Sequence, residues 1–129
     1  MDRRYYIAGF AFGLTAVILG AFATHGLKPQ LSTAAMDSFE TGVQYQMYHA
    51  LLLLLLGNMK QPGVKKTNLI FYLIVIGIFL FSGSIYLLAT REITNLNIGF
   101  LGPVTPVGGS LLILCWILLL WRFIKLKKK

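Results

Sequence analysis

Residues 39–56 read FETGVQYQMYHALLLLLL: a polar and aromatic stretch that runs without a break into an apolar one. A helix needs about 20 apolar residues to cross a hydrocarbon core of about 30 Å. The purely apolar part, Ala50 to Leu56, is too short to do this alone. Counting back from Asn58 at about 1.5 Å per residue reaches Phe39 before the core is covered. A membrane span here must therefore carry Glu40, Gln44, Tyr45, Gln46 and His49. Residues of that kind are expensive in lipid and mark candidate functional positions.

The rest of the chain makes the membrane reading necessary. Of its 129 residues, 57% are hydrophobic and 12% charged, with a mean hydropathy of +0.72. Soluble domains carry roughly a quarter of their residues as Asp, Glu, Lys and Arg. So apolar a chain of 14.4 kDa has too little interior to hide its apolar side chains. A net charge of +8 would otherwise suggest nucleic acid. Here it reads as orienting charge, and no nucleic-acid partner is expected. The single cysteine, Cys115, permits neither an internal disulfide nor a cysteine metal cluster.

Three further segments are long and apolar enough to cross. The expected spans are about 5–24, 39–59, 69–89 and 106–125, in one transmembrane domain covering 1–129. The first lies between Arg3-Arg4 and His25, Gly26 and Pro29; the third lies between Gln61-Pro62-Gly63 and Arg91. The fourth opens with Thr105 as N-cap and Pro106 at the tolerated first helical position. Arg3-Arg4 before an apolar run ending Ala21-Phe22-Ala23 imitates a signal peptide, but the run exceeds the usual signal core of about 7–15 residues. Ten of the twelve Lys and Arg residues fall in the N-terminus (Arg3, Arg4), the middle loop (Lys60, Lys65, Lys66) and the tail (Arg122, Lys125, Lys127, Lys128, Lys129). Only Lys28 and Arg91 fall in the other two loops. The positive-inside bias then predicts both termini and the middle loop in the cytoplasm. The fold class is all-α, an integral membrane four-helix bundle with both termini cytoplasmic.

Small residues supply candidate packing faces. Gly9, Gly13, Ala16, Gly20 and Ala23 repeat at intervals of four and three, which puts them on one stripe of the first helix. Small side chains let helices approach closely in lipid, either within one chain or between copies. Gly77 with Ser84 in the third span, and Gly108-Gly109 at the start of the fourth, are expected to act in the same way. Residues 30–41, with Leu31, Ala34, Ala35 and Phe39 at helical spacing behind a Ser32 N-cap, predict an amphipathic turn at the outer interface. Residues 98–103, broken by Gly99, Gly102 and Pro103, predict an interfacial loop. Trp116, Trp121 and the tyrosines read as packing residues and interfacial anchors.

The candidate polar site comprises His25, Glu40, Gln44, Tyr45, His49 and Arg91. Glu40 has Arg91 or a protonated His25 as prospective partners at the outer boundary. His49, nine residues on, lies about 13 Å deeper and on the opposite side of an ideal helix. Glu40, Gln44 and Tyr48 form one polar stripe; Gly42, Tyr45, Gln46 and His49 form another. Two polar stripes predict a helix enclosed on both sides by protein or a cavity. Two readings stand. In one, a neutral His49 bonds a serine such as Ser82 or Ser84, or a backbone carbonyl. In the other, the region titrates a proton or forms a pocket for a small ligand or lipid headgroup. No catalytic constellation, phosphate-binding loop or nucleophile elbow occurs, and no metal or cofactor is expected.

Four segments in order carry a resemblance. These are Gly20-Ala21-Phe22 with His25-Gly26-Leu27, Phe39 through Leu51, Phe81-Ser82-Gly83-Ser84-Ile85-Tyr86, and Thr105-Pro106-Val107-Gly108-Gly109. Together they resemble the YgdD/YwdK-type family of small bacterial inner-membrane proteins of unknown function. Ala23-Thr24 stands where the familiar form has Gly-Ala before the histidine. The resemblance implies four transmembrane helices in the bacterial plasma (inner) membrane and transfers no catalytic residue. The function expected is non-enzymatic: a structural component, or one that binds lipid, a small ligand or a membrane-protein partner, including a second copy of itself. The alternative is a small proton-coupled transporter or channel using His49 or Glu40. The halves 1–64 and 65–129 show no internal repeat of the kind transporters favour.

Overall fold

The protein is described here by a computed structural model over residues 2–59 and 68–126. Lys60, Lys65 and Lys66 of the middle loop, its Gln61-Pro62-Gly63 breaker, and Lys127, Lys128 and Lys129 of the tail lie outside the described residues.

Helix starts follow local chemistry. The Asp2 carboxylate accepts from the Arg4 N–H and caps α1 (Arg3–Phe22). The chain continues through a π turn, Ala23–Leu27, so the first rod outruns its expected end. Ser32 caps α2 (Thr33–Asn58) by accepting from the Ala35 N–H. At 26 residues α2 is one helix about 39 Å long. The expected interfacial turn and second span are thus continuous. Leu31, Met36 and Phe39 bury against Ala23, Leu27 and Ala89, which locks the start of α2 onto two neighbouring helix ends.

The third rod is α3 (Leu69–Ile78), a π turn Phe79–Gly83, and α4 (Ser84–Ala89). A single turn, α5 (Arg91–Thr94), follows and is stopped by Asn95 in the left-handed region at φ 57°, a conformation that asparagine tolerates. The expected loop over 98–103 contains only a 3₁₀ turn, Gly99–Leu101. The last helix, α6 (Val104–Lys125), begins earlier than predicted, with Pro103 rather than Thr105 at the N-cap. Pro106 is still tolerated, because the first N–H groups of a helix have no intrahelical acceptor to lose. Among the described residues there is no strand.

Close approach rests on small residues. A Cβ at Gly9 would lie 2.7 Å from the Leu54 side chain and 3.0 Å from the Ala50 carbonyl oxygen. Ala16 is buried, and Gly13 and Gly20 face Ala50 and Val43, so the stripe on α1 is spent on α2. Gly108 of α6 meets the backbone of Leu80 and Phe81 in the π turn, and Gly77 of α3 meets Leu112. Gly42 of α2 takes the Tyr86 ring, a packing glycine the sequence reading placed only on a polar stripe.

The result is a central pair, α2 with the α3–π–α4 rod, flanked by α1 against α2 and α6 against the rod. One apolar core contains Tyr5, Leu53, Leu56, Ile70, Ile74 and Cys115. The other, at the opposite end, contains Leu27, Met36, Phe39 and Ala89. Between them lie the buried polar residues Gln46, His49, Ser82 and Ser84.

Outward faces are oily. Phe10, Leu14 and Val17 of α1 and Ile117, Leu120 and Ile124 of α6 are exposed, Ile124 by 71%. Among the described residues, three helices are long and apolar enough to cross a membrane: Arg3–Leu27, Leu69–Ala89 and Gly99–Lys125. α2 does not join them on composition, because its first half spends its positions on Glu40, Gln44, Gln46 and His49.

Candidate functional site

The buried stripe of α2 is fully hydrogen-bonded. The Gln46 amide nitrogen donates to the Phe12 carbonyl at 2.8 Å and to Thr15 Oγ1 at 2.6 Å. Its carbonyl oxygen accepts from the Tyr86 hydroxyl at 2.7 Å. One carboxamide therefore ties α1, α2 and α4 together. Ser82 Oγ donates to the Gly42 carbonyl at 2.7 Å, where the glycine's missing side chain lets the rod close on the α2 backbone. The Ser84 hydroxyl bonds Leu80 of its own rod and Thr105 of α6.

His49 is 3% exposed and spans the gap between α2 and α6. Trp116 Nε1 lies 2.9 Å from His49 Nε2, and indole nitrogen only donates. Nε2 is thus the acceptor, so Nδ1 carries the hydrogen and donates to the Tyr45 carbonyl at 2.7 Å. Both ring nitrogens of a neutral imidazole are occupied. Of the partners anticipated for His49, the backbone carbonyl is present; the second partner is Trp116 rather than a serine. Trp116, read from the sequence as packing or an anchor, is a hydrogen-bond donor. No spacing rule connects two residues 67 positions apart.

The six predicted site residues do not converge. Only His49 is buried. Tyr45 is partly exposed and packs its ring on Tyr48 and Phe81. His25, Glu40, Gln44 and Arg91 are exposed, and neither Arg91 nor His25 lies within ion-pair distance of Glu40. The expectation that α2 is enclosed on both polar sides is corrected. The Gly42–Gln46–His49 stripe faces α1, the rod and Trp116, whereas Glu40, Gln44 and Tyr48 point outward, because among the described residues no helix covers that face.

Two neighbouring hollows, which share Thr41 in their linings, replace the predicted cluster. A cavity of about 630 Å³ opens where α2 starts, α4 ends and α6 starts. Its lining includes Ser32, Ser38, Thr41, Arg91, Glu92 and Thr105. Ser32 Oγ donates to Glu92 Oε1 at 3.1 Å. A groove of about 350 Å³ lies between α2 and α6, lined by Thr41, Tyr45, His49, Phe81, Gly109, Leu112, Ile113 and Trp116. Thr41 belongs to both walls, and Gly109 lies one helical turn below Thr105. Glu92, Ser38 and Thr105 were not among the site residues expected from the sequence; only the meeting of three helix ends brings them together. Among the described residues, no three His, Cys, Asp or Glu side chains gather to hold a metal ion.

Comparison with known proteins places this architecture. Residues 19–109 match the family described as "Protein of unknown function (DUF423)". The chain is 37% identical over 125 residues to UPF0382 membrane protein YwdK of Bacillus subtilis (strain 168), covering 95% of this chain and 98% of that protein. It is 36% identical over 127 residues to a UPF0382 membrane protein of Haemophilus influenzae, covering 98% of both. The chain belongs to this family. It is an integral membrane protein, as its exposed apolar helices require, and its relatives carry no assigned activity. The matched segment encloses Gln46, His49, Ser82 and the cavity walls, while Trp116 lies beyond it. No solved structure matches the chain.

Proposed function

We propose that this protein is a non-enzymatic, four-span bundle of the bacterial plasma membrane that holds a membrane lipid in the cleft between α2 and α6. The observation that carries the reading is a polar, charged cavity set beside a mostly apolar groove, with Thr41 in both walls. From Thr41 to His49 the lining runs about 12 Å along α2, and from Thr105 of the cavity to Trp116 of the groove about 16 Å along α6. That is about half of a 30 Å hydrocarbon core, the depth of one acyl chain. Polar groups at the rim and aromatic and aliphatic walls below suit a headgroup above a chain.

The four-span topology is supported by the length of α2, which exceeds the core thickness despite its polar half. Cytoplasmic termini are supported by ten cations against two. Transport is the weaker reading: His49 has both nitrogens engaged and Glu40 points outward without an ion-pair partner among the described residues.

Native mass spectrometry of the full chain released from mild detergent tests the reading. About one retained phospholipid per chain is expected, and Thr41→Phe, which intrudes at the neck, should remove it. Loss of no lipid in that variant, or proton flux in liposomes abolished by His49→Ala or Glu40→Gln, would overturn it.

A further inference from the structure

We infer that the cavity selects a zwitterionic phospholipid whose headgroup carries a primary ammonium, the phosphatidylethanolamine class, with Arg91 taking the phosphate and Glu92 the ammonium. The inference rests on the lipid reading above and adds the headgroup. Arg91 and Glu92 are consecutive residues of α5, and both line the same hollow. They do not neutralise each other: no ion pair joins them, and Glu92 instead accepts from the Ser32 hydroxyl at the start of α2. That bond holds the carboxylate across the mouth and leaves acceptor sites free, since an ionised carboxylate accepts about four bonds.

A cavity walled by both an arginine and a glutamate suits a ligand with a phosphate and a cation a few atoms apart. Guanidinium matches phosphate through paired N–H donors. The carboxylate discriminates further. A primary ammonium donates up to three hydrogen bonds, which Glu92 and hydroxyls such as Ser38, Thr41 and Thr105 can receive. A trimethylated ammonium donates none, and a glycerol headgroup brings no cation to balance Glu92. The groove beside it is mostly apolar and runs about 12 Å along α2, room for much of an acyl chain, so the lipid itself, rather than a free headgroup, is the occupant.

Trp116 lines the groove and gives a direct readout. Trp121→Phe leaves it the sole tryptophan of the chain. The full-length variant is placed in bilayers containing equal fractions of phosphatidylethanolamine, phosphatidylcholine or phosphatidylglycerol with brominated acyl chains, and Trp116 fluorescence quenching is measured. Quenching by the ethanolamine lipid should show an apparent association about threefold above the other two, the scale of a partly exposed ion pair. Glu92→Gln should erase the preference over phosphatidylcholine, while Arg91→Gln should weaken quenching by all three. Both positions are exposed, and matched thermal unfolding verifies that the fold survives. Equal quenching by all three lipids overturns headgroup selection and leaves the lipid-filled cleft standing. Stronger quenching by phosphatidylglycerol also overturns it, in favour of an anionic lipid. Quenching unaffected by Thr41→Phe means that Trp116 senses only surrounding lipid, and both readings fall.

Discussion

Gly108→Ala isolates the contact that seats α6. A Cβ at this position would lie 2.7 Å from the Leu80 carbonyl carbon and 2.8 Å from Leu80 Cβ, and closer still to the Phe81 nitrogen. The obstacle is mostly backbone, so no side chain can rotate away. Ordinary contact begins near 3.4 Å, so the Leu80 carbonyl carbon alone demands a separation of about 0.7 Å between α6 and the π turn, and the Phe81 nitrogen demands more. Inserting a methyl group into packed structure costs about 1–3 kcal/mol. A gap of this size also forfeits a quarter to a half of the dispersion well of each lining contact. Within a bilayer nothing apolar is gained in return, because lipid is as oily as the helix it replaces. Alanine recovers about 0.5–1 kcal/mol of helix preference over glycine. The net expectation is a loss of about 1–2 kcal/mol. Gly83 provides the control: a Cβ there meets nothing within 4 Å, so Gly83→Ala should be neutral or stabilise by up to about 1 kcal/mol. Reversible unfolding in mixed micelles, followed by circular dichroism, measures both. If Gly108→Ala stays within about 0.5 kcal/mol of the parent, or the two variants lose equally, the reasoning is refuted.

The polar layer gives further tests. Gln46→Leu strips partners from Tyr86, Thr15 and the Phe12 carbonyl and should cost about 1–3 kcal/mol. A cycle with Tyr86→Phe should show coupling of about 0.6–1.7 kcal/mol, and strict additivity would deny the bond. Nitrogen-15 spectra of His49 should show the Nδ1–H tautomer, and Trp116→Phe should shift the population toward Nε2–H; an Nε2–H parent would contradict the assigned pairing. In a Cys115→Ser background, a cysteine at Ile98 should react with impermeant maleimide from outside intact cells and one at Lys65 only after permeabilisation; the reverse pattern would invert the proposed topology.

Much of the helical framework was legible before folding. The Ser32 cap, the apolar runs and the stripe of Gly9, Gly13, Ala16 and Gly20 are local signals, because capping and small-residue spacing act within a few residues of chain. The early start of α6 was missed since proline is accepted throughout the first helical turn, which blurs that boundary. The π turns escaped because no local pattern in Ala23–Leu27 or Phe79–Gly83 demands them.

The polar site was only half legible. Composition and hydropathy by themselves determined a membrane protein with one polar helix, and charge placement determined the orientation to propose. Tertiary structure decided which stripe of α2 turned inward, paired His49 with Trp116, and joined Arg91 and Glu92 to Ser32, Thr41 and Thr105 around one cavity. The physical reason lies in the solvent. In water an apolar face must turn inward, so periodicity encodes rotation. In lipid, helices such as α1 and α6 are apolar all round, and their rotation is set by close approach of small residues and by hydrogen bonds between distant positions. Those terms exist only once the helices have met.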